Sequence, residues 1–342
     1  MFNCAAHGKK KDCARGSSPR LIFLRDFFVP IALGGILYAT PSAAAGTTAG
    51  SQIESTATAT FTSGTFSGSV SSNTISLRVD ELVDLAVSAP SAPTVLAGGE
   101  PVALPFVLAN VGNGPEAFRV SALATIAGNG FDVTVEQIAL DSNGNGLFDA
   151  GIDQVLPLGS DTPSLGADNS LTVFVLVRLP TGASDGQTSS LRLTATAVTG
   201  TGQPGSVRQG AGVGGTDAVI GLSGGESYAN AALIAKLAGI TLTKAAAIRD
   251  PFGGSQPVPG ATVTYQLTAN VLGSGQVQNL VVSDTIPAGT SYLPGSLKLD
   301  DAPLSDAADS DAGIAAADGI TVKILSADGG STHVVSFDVK IN

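Results

Sequence analysis

The chain has 342 residues, enough for two or three domains that each bury a sizeable core. With 43 Gly, 18 Pro, no Trp and 5% aromatic residues, the composition suits thin, turn-rich β-layers, and a hydrophobic fraction of 43% excludes a chain disordered throughout. A formal charge of −11 speaks against nucleic acid or an anionic membrane as a partner and is compatible with calcium.

The first 25 residues carry Lys9, Lys10, Lys11, Arg15, Arg20 and Arg25, an apolar run extends from Phe27 to Ala39, and Ala43 and Ala45 offer small-residue cleavage positions. Residues 1–45 therefore read as a secretory signal with a long basic leader. An apolar run this short, interrupted by Pro30, does not span a bilayer, so no membrane span is expected after cleavage. Losing those six basic residues together with Asp12 and Asp26, out of 17 and 28, moves the formal charge from −11 to −15. Cys4 and Cys13 leave with the leader, so the mature chain has no disulfide framework.

In residues 46–84, Ile53, Ser55, Ala57, Ala59 and Phe61 alternate with Glu54, Thr56, Thr58 and Thr60, and Ile75, Leu77 and Val79 alternate with Ser76, Arg78 and Asp80. This predicts an N-terminal strand pair around a Gly/Ser-rich loop. Such a pair is barely stable alone and is expected to add to a sheet of its own molecule or of another.

Residues 85–200 read as a first β-sandwich. Val102, Leu104, Phe106 and Leu108 alternate, with Pro105 marking an edge or a bulge. Leu171–Leu179 is apolar on both faces, as in a central strand, and Leu191, Leu193, Ala195 and Ala197 give the last strand. Residues 201–238 read as a Gly-rich linker, with a short helix possible over Ser227–Leu237, where helix formers follow a Ser and precede Gly239.

Residues 239–342 carry the clearest periodicity. Ala261, Val263, Tyr265, Leu267, Ala269 and Val271 share one strand face, Gly273, Ser274 and Gly275 supply a turn, and Leu280, Val281 and Val282 begin the next run. Lys244 to Leu299, with DPFGG at 250–254, PGATVTY at 259–265, SDTIPAGT at 283–290 and PGSLKLD at 294–300, resembles the repeat called domain of unknown function 11. The resemblance implies an immunoglobulin-like sandwich in a bacterial or archaeal surface or secreted protein, and it brings no catalytic residue. The fold expected is thus all-β, with tandem immunoglobulin-like β-sandwiches after an N-terminal strand pair. A faint internal repeat, Ala109-Asn110-Val111 and Ala269-Asn270-Val271, agrees with tandem units or is a chance match.

The strongest chemical motif is DSNGNGLFDAGID at 141–153. Asp141, Asn143 and Asn145 stand at positions 1, 3 and 5, Gly146 permits the sharp turn, Leu147 offers a carbonyl, and Asp149 and Asp153 remain as ligands because Ile152 occupies position 12, where an EF-hand has Glu. The expected ligand is Ca²⁺; the alternative is an Asx-rich hairpin turn without an ion. Asp300, Asp301, Asp306, Asp309 and Asp311 form a looser acidic cluster that reads as solvated surface. Gly182-x-Ser184-x-Gly186 lacks a strand-to-helix elbow, and Gly200-x-Gly202-x-x-Gly205 does not open a helix. Beyond residue 45 the one histidine is His333, a thin basis for a triad. Lys244, with Asn342 or Asp338 on the last strand, is a candidate for an intramolecular amide crosslink; the alternative is a lysine reaching to water.

Together these features predict a non-catalytic structural or adhesive component of the bacterial envelope or surface, meeting other surface proteins or glycans. The alternatives are a filament subunit that self-associates into fibres by β-strand addition, and a hydrolase using paired carboxylates.

Overall fold

A computed structural model describes residues 46–157 and 159–342; the expected signal over 1–45 lies outside the described residues. These residues build two tandem immunoglobulin-like β-sandwiches preceded by a strand pair. Among them no helix is long and apolar enough to cross a membrane.

The first sandwich packs a five-stranded sheet, in the order Gln154–Leu156, Thr134–Leu140, Ser170–Arg178, Val102–Asn110, Leu85–Ser88, on a four-stranded one, in the order Thr94–Leu96, Glu226–Ala235, Thr188–Ala197, Phe118–Leu123. Period-2 patterning sets the core: Leu191, Leu193, Ala195 and Ala197 point inward from one strand and meet Leu104, Phe106 and Leu108 from the other sheet. Each fully buried Leu or Phe contributes roughly 1.5–3 kcal/mol. Ser170–Arg178 is central, as its two apolar faces require, with Phe174 and Leu176 forming a small cluster with Ala139 outside the main core. Pro105 pairs on one side only, because Leu85–Ser88 reaches no farther than Val107.

Two expectations about residues 201–238 are corrected. The segment is no linker: Val207–Arg208 and Ala218–Ile220 form a small sheet with Glu81–Val83, the last pairing being parallel. Nor is Ser227–Leu237 a helix. Glu226–Ala235 is a strand of the first sandwich, antiparallel to Thr188–Ala197 and parallel to Thr94–Leu96. Its alanines and leucine are good helix formers, but Ala231, Leu233 and Ala235 fall at period 2 onto the core, and burial overrides a propensity difference of a few tenths of a kcal/mol per residue.

The second sandwich begins at once. Ala238–Arg249, Thr262–Gly273, Thr332–Ile341 and Lys298–Leu299 run side by side, and Gln276–Thr285, Gly319–Asp328 and Gly313–Ala315 form the facing sheet. Val263, Leu267, Ala269 and Val271 are buried against Val282, Val322 and Phe337. The junction is hydrogen-bonded: Asp185 of the first sandwich accepts from the Leu237 N–H (2.7 Å) and the Ser274 hydroxyl (2.7 Å).

The strand pair is a protruding ribbon. Gln52–Ser55 pairs with Ile75–Arg78, and Thr58–Ser63 with Phe66–Ser71, around a two-residue loop in which Gly64 has φ 62°, as a tight hairpin turn needs at its first position. Among the described residues it joins no other sheet. At roughly 3.3 Å per residue it extends about 40 Å.

Candidate functional site

The loop 141–153 joins the adjacent antiparallel strands Thr134–Leu140 and Gln154–Leu156. Asp141 accepts from the N–H groups of Gly144 (2.7 Å) and Gly146 (2.9 Å). The side-chain amides of Asn143 and Asn145 both donate to Asp149 Oδ2, at 2.8 and 2.6 Å, while their oxygens accept backbone N–H groups of Asn145 and Leu147. Asp153 is buried and staples the loop ends, accepting from Ser142 N–H (3.0 Å) and Asp149 N–H (2.8 Å). The Leu147 side chain is exposed, and Phe148 stacks edge-on against Phe174. Of the six expected ligands, the side chains of Asn143, Asn145 and Asp149 meet one another, while Asp141 holds the Gly144 and Gly146 N–H groups, in an Asx-turn loop satisfied by its own hydrogen bonds. A cation would require the two amides to present oxygen in place of nitrogen. Among the described residues no three His, Cys, Asp or Glu side chains cluster to hold a metal.

The second acidic cluster does not converge. Asp306 accepts from the Tyr292 hydroxyl (2.6 Å) and Gly295 N–H (2.7 Å), Asp311 from Ser305 N–H (2.6 Å) and Gly313 N–H (2.8 Å), and Asp309 from Asp311 N–H (2.9 Å). Each carboxylate caps its own turn. Asp300 accepts from Val334 N–H (2.7 Å) and meets His333 Nδ1 (2.9 Å), while Ser331 Oγ stands 3.5 Å from His333 Nε2, at the outer limit of hydrogen-bond distance. Burial alone would raise the Asp300 pKa, but the Val334 N–H and His333 hold it below the usual carboxylate range. Gly182, Ser184 and Gly186 lie in the loop between Ser170–Arg178 and Thr188–Ala197, with no helix after them.

The crosslink partners proposed for Lys244 are corrected by register. Lys244 is paired across to Leu267, and Leu267 to Val335, so Lys244 faces inward. Asp338 is opposite Thr264, whose hydroxyl it accepts at 2.6 Å on the outer face, and Asn342 accepts from the Ser291 hydroxyl. Instead, Lys244 Nζ meets Asp284 Oδ2 of the facing sheet at 2.5 Å and lies 4.3 Å from the centre of the Tyr265 ring. No third carboxylic acid bonds to this pair among the described residues to protonate a leaving hydroxyl, so the geometry is that of an ion pair joining the two sheets.

Sequence reasoning missed a buried carboxylate pair at the foot of the ribbon. Glu81 accepts from Val213 N–H (2.8 Å) and Glu116 from Thr199 N–H (3.1 Å), leaving Glu116 Oε2 without a partner. Burial, opposed by the Val213 N–H and reinforced by the Glu116 charge, raises the pKa of Glu81. No local spacing signals this, because the two glutamates are brought together by backbone hydrogen bonds from Val111 to Asp84 and from Asn113 to Leu82, between segments apart in the chain.

Among the described residues the ribbon packs against no other sheet. Cross-strand register places Ile53 beside Leu77, Ala59 beside Val70, and Phe61 beside Gly68. The return strand carries one residue more than the outgoing one between Ser71 and Ile75, which switches its parity. Phe66 and Val70, at even positions, therefore share a face with Ile75 and Leu77, at odd ones. One face bears Ile53, Phe61, Phe66, Val70, Ile75 and Leu77, all 48–63% exposed. The opposite face of the outer half is a hydroxyl ladder of Thr58, Thr60, Thr62, Ser67, Ser69 and Ser71. Monomeric proteins rarely leave an apolar stripe of this length uncovered.

No family model matches the chain, and no curated protein matches it. Among solved structures it is similar to the C-terminal domain of the AgI/II polypeptide BspA of Streptococcus agalactiae (10% identity, TM-score 0.30, covering 75% of this chain and 91% of that one). It is also similar to a putative membrane-anchored protein of Corynebacterium diphtheriae (10%, 0.21, 85% and 89%) and to the collagen adhesin of S. aureus (10%, 0.20, 76% and 80%). These are bacterial surface proteins of β-sandwich type, and likeness at this level carries no argument about activity.

Proposed function

We propose that this chain is a non-catalytic structural or adhesive component of a bacterial envelope or surface, exported and acting through its protruding ribbon. The observation that carries the reading is the striped face of residues 52–78: two sandwiches support an extended arm whose apolar side chains pack against no other sheet among the described residues. The order of short motifs between Lys244 and Leu299 supports a surface protein resembling domain of unknown function 11. The test is negative-stain imaging and sedimentation of residues 46–342 beside a chain lacking 46–78. Loss of every self-association and surface-binding signal on deletion supports the reading; an unchanged signal refutes it.

A second reading is favoured by the same stripe and by its low charge. The ribbon between Ser51 and Leu77 holds a single charge, Glu54, in a chain of net −11, so it is the part on which copies repel least. In this reading the chain is a filament subunit and the ribbon is the joint. Calcium in loop 141–153 would rigidify that loop, held by Asp141, Asn143, Asn145 and Asp149; the support is the meeting of Asn143 and Asn145 at Asp149.

A further inference from the structure

The two sheets of the second sandwich are offset, so that one strand stands uncovered. Ala238–Arg249 pairs only with Thr262–Gly273, and its register with that strand assigns Ile240, Leu242, Lys244, Ala246 and Ile248 to the inward side. Yet Ile240 is 38% and Leu242 52% exposed, whereas their cross-strand neighbours Val271 and Ala269 are buried. The facing sheet stops at Gln276–Thr285, whose only strand partner is Gly319–Asp328. The result is an open flank: one wall is the inward face of Ala238–Arg249, the other the free edge of Gln276–Thr285, and the Lys244–Asp284 ion pair spans it.

Building on the filament reading, we infer that this flank receives the ribbon of a second copy of the chain, with the apolar stripe laid over Ile240 and Leu242. Two features match. The flank strand and the outgoing half of the ribbon are of equal length, Ala238–Arg249 being 12 residues and Gln52 to Ser63 covering the same number of positions. The area suffices at its lower limit. A ribbon about 40 Å by 10 Å offers roughly 400 Å² on its striped face and about 200 Å² along one edge, so two partners bury about 1,200 Å² together. Because the ribbon belongs to the N-terminal end and the flank to the second sandwich, the contact is head-to-tail and propagates unless a rotation closes it.

The test uses two variants that each spoil one side. Phe61→Asp places a charge in the stripe and leaves the flank intact; Leu242→Asp does the reverse; both sites are about half exposed, so neither substitution empties a core. Circular dichroism and melting confirm folding, with Leu242→Lys as a second flank variant if the first does not fold. By light scattering, wild type at 100 μM forms polymers, each variant alone stays monomeric, and an equal mixture gives a discrete dimer, since one intact ribbon meets one intact flank. Polymers from Leu242→Asp and Leu242→Lys, alongside monomeric Phe61→Asp, overturn the flank assignment and leave the filament reading standing. A monomeric wild type overturns both. A mixture that stays monomeric also overturns the flank.

Discussion

Asn110 and Asn270 sit at matching places in the faint internal repeat, and the fold gives them opposite roles. Asn110 is 1% exposed: its amide donates to the carbonyls of Gly114 (2.8 Å) and Leu165 (2.7 Å), and its oxygen accepts from Gly112 N–H (3.0 Å). It pins the turn after Val102–Asn110, where Gly112 comes so close to Leu82 that a Cβ would stand 2.1 Å from the Leu82 carbonyl. Asn270 is half-buried and accepts one bond, from the Thr332 hydroxyl at 2.9 Å. At about 1 kcal/mol for each hydrogen bond, Asn110→Ala is expected to cost about 3 kcal/mol, and Asn270→Ala, with its single bond open to water, at most ~1 kcal/mol. With roughly 2–4 °C per kcal/mol for domains of this size, the first sandwich should melt about 6–12 °C earlier in Asn110→Ala while the second does not move. Scanning calorimetry suits this chain, because it has no Trp to report by fluorescence and two cores that need not unfold together. Equal shifts in the two variants, or a loss below ~1 kcal/mol for Asn110→Ala, would refute the argument that burial and bond count, not the repeat, set the cost.

Lys244→Met leaves Asp284 Oδ2 buried without a donor, and is expected to lower the second transition by about 1–3 kcal/mol, whereas Lys244→Met with Asp284→Leu should recover most of the loss; calorimetry of the cycle decides it. Lys244 is partly exposed, so solvent screening keeps the coupling of the pair to the low end of that range. Asp250 is held below the usual carboxylate range by the N–H groups of Gln256, Gly254 and Phe252, Asp185 by the Ser274 hydroxyl and Leu237 N–H, and Asp309 by the Asp311 N–H. Depressed values mean stability that is present above about pH 4 and lost as pH falls through the folded-state value, so Asp250→Asn should show a shallower acid loss of melting temperature than wild type. Glu81 has the opposite sign: its raised pKa means that stability falls as pH rises through the interval above its ordinary value, and Glu81→Gln should flatten that part of the profile. If loop 141–153 binds calcium, tenfold excess over Kd raises the first transition by about 1.4 kcal/mol and Asp149→Ala abolishes the rise; no difference between calcium and chelator would end the proposal.

The alternation of Ala261 to Val271, the doubly apolar run Leu171–Leu179 and the final strand through Ile341 were each legible from residue spacing, since period 2 reports which side of a sheet is dry. That Asn143 and Asn145 reach Asp149 follows from local spacing too, as the three lie within seven positions. The DPFGG motif shows its purpose only in the fold, where the Asp250 carboxylate ties down the N–H groups of the turn it opens. Local composition misled at Glu226–Ala235, where helix formers lie in a strand because Thr188–Ala197 and Thr94–Leu96 offer it partners from distant sequence.

Side-chain chemistry over a few neighbouring positions suffices for the β-character, the two sandwiches and the alternation within most strands, Glu226–Ala235 excepted. The tertiary structure alone decided that Lys244 meets Asp284, that Glu81 and Glu116 share a buried corner, that an extra residue aligns both halves of the ribbon's stripe, and that Ile240 and Leu242 stand uncovered. Each depends on register between segments far apart in the chain, and a one-residue change of register turns every side chain to the other face.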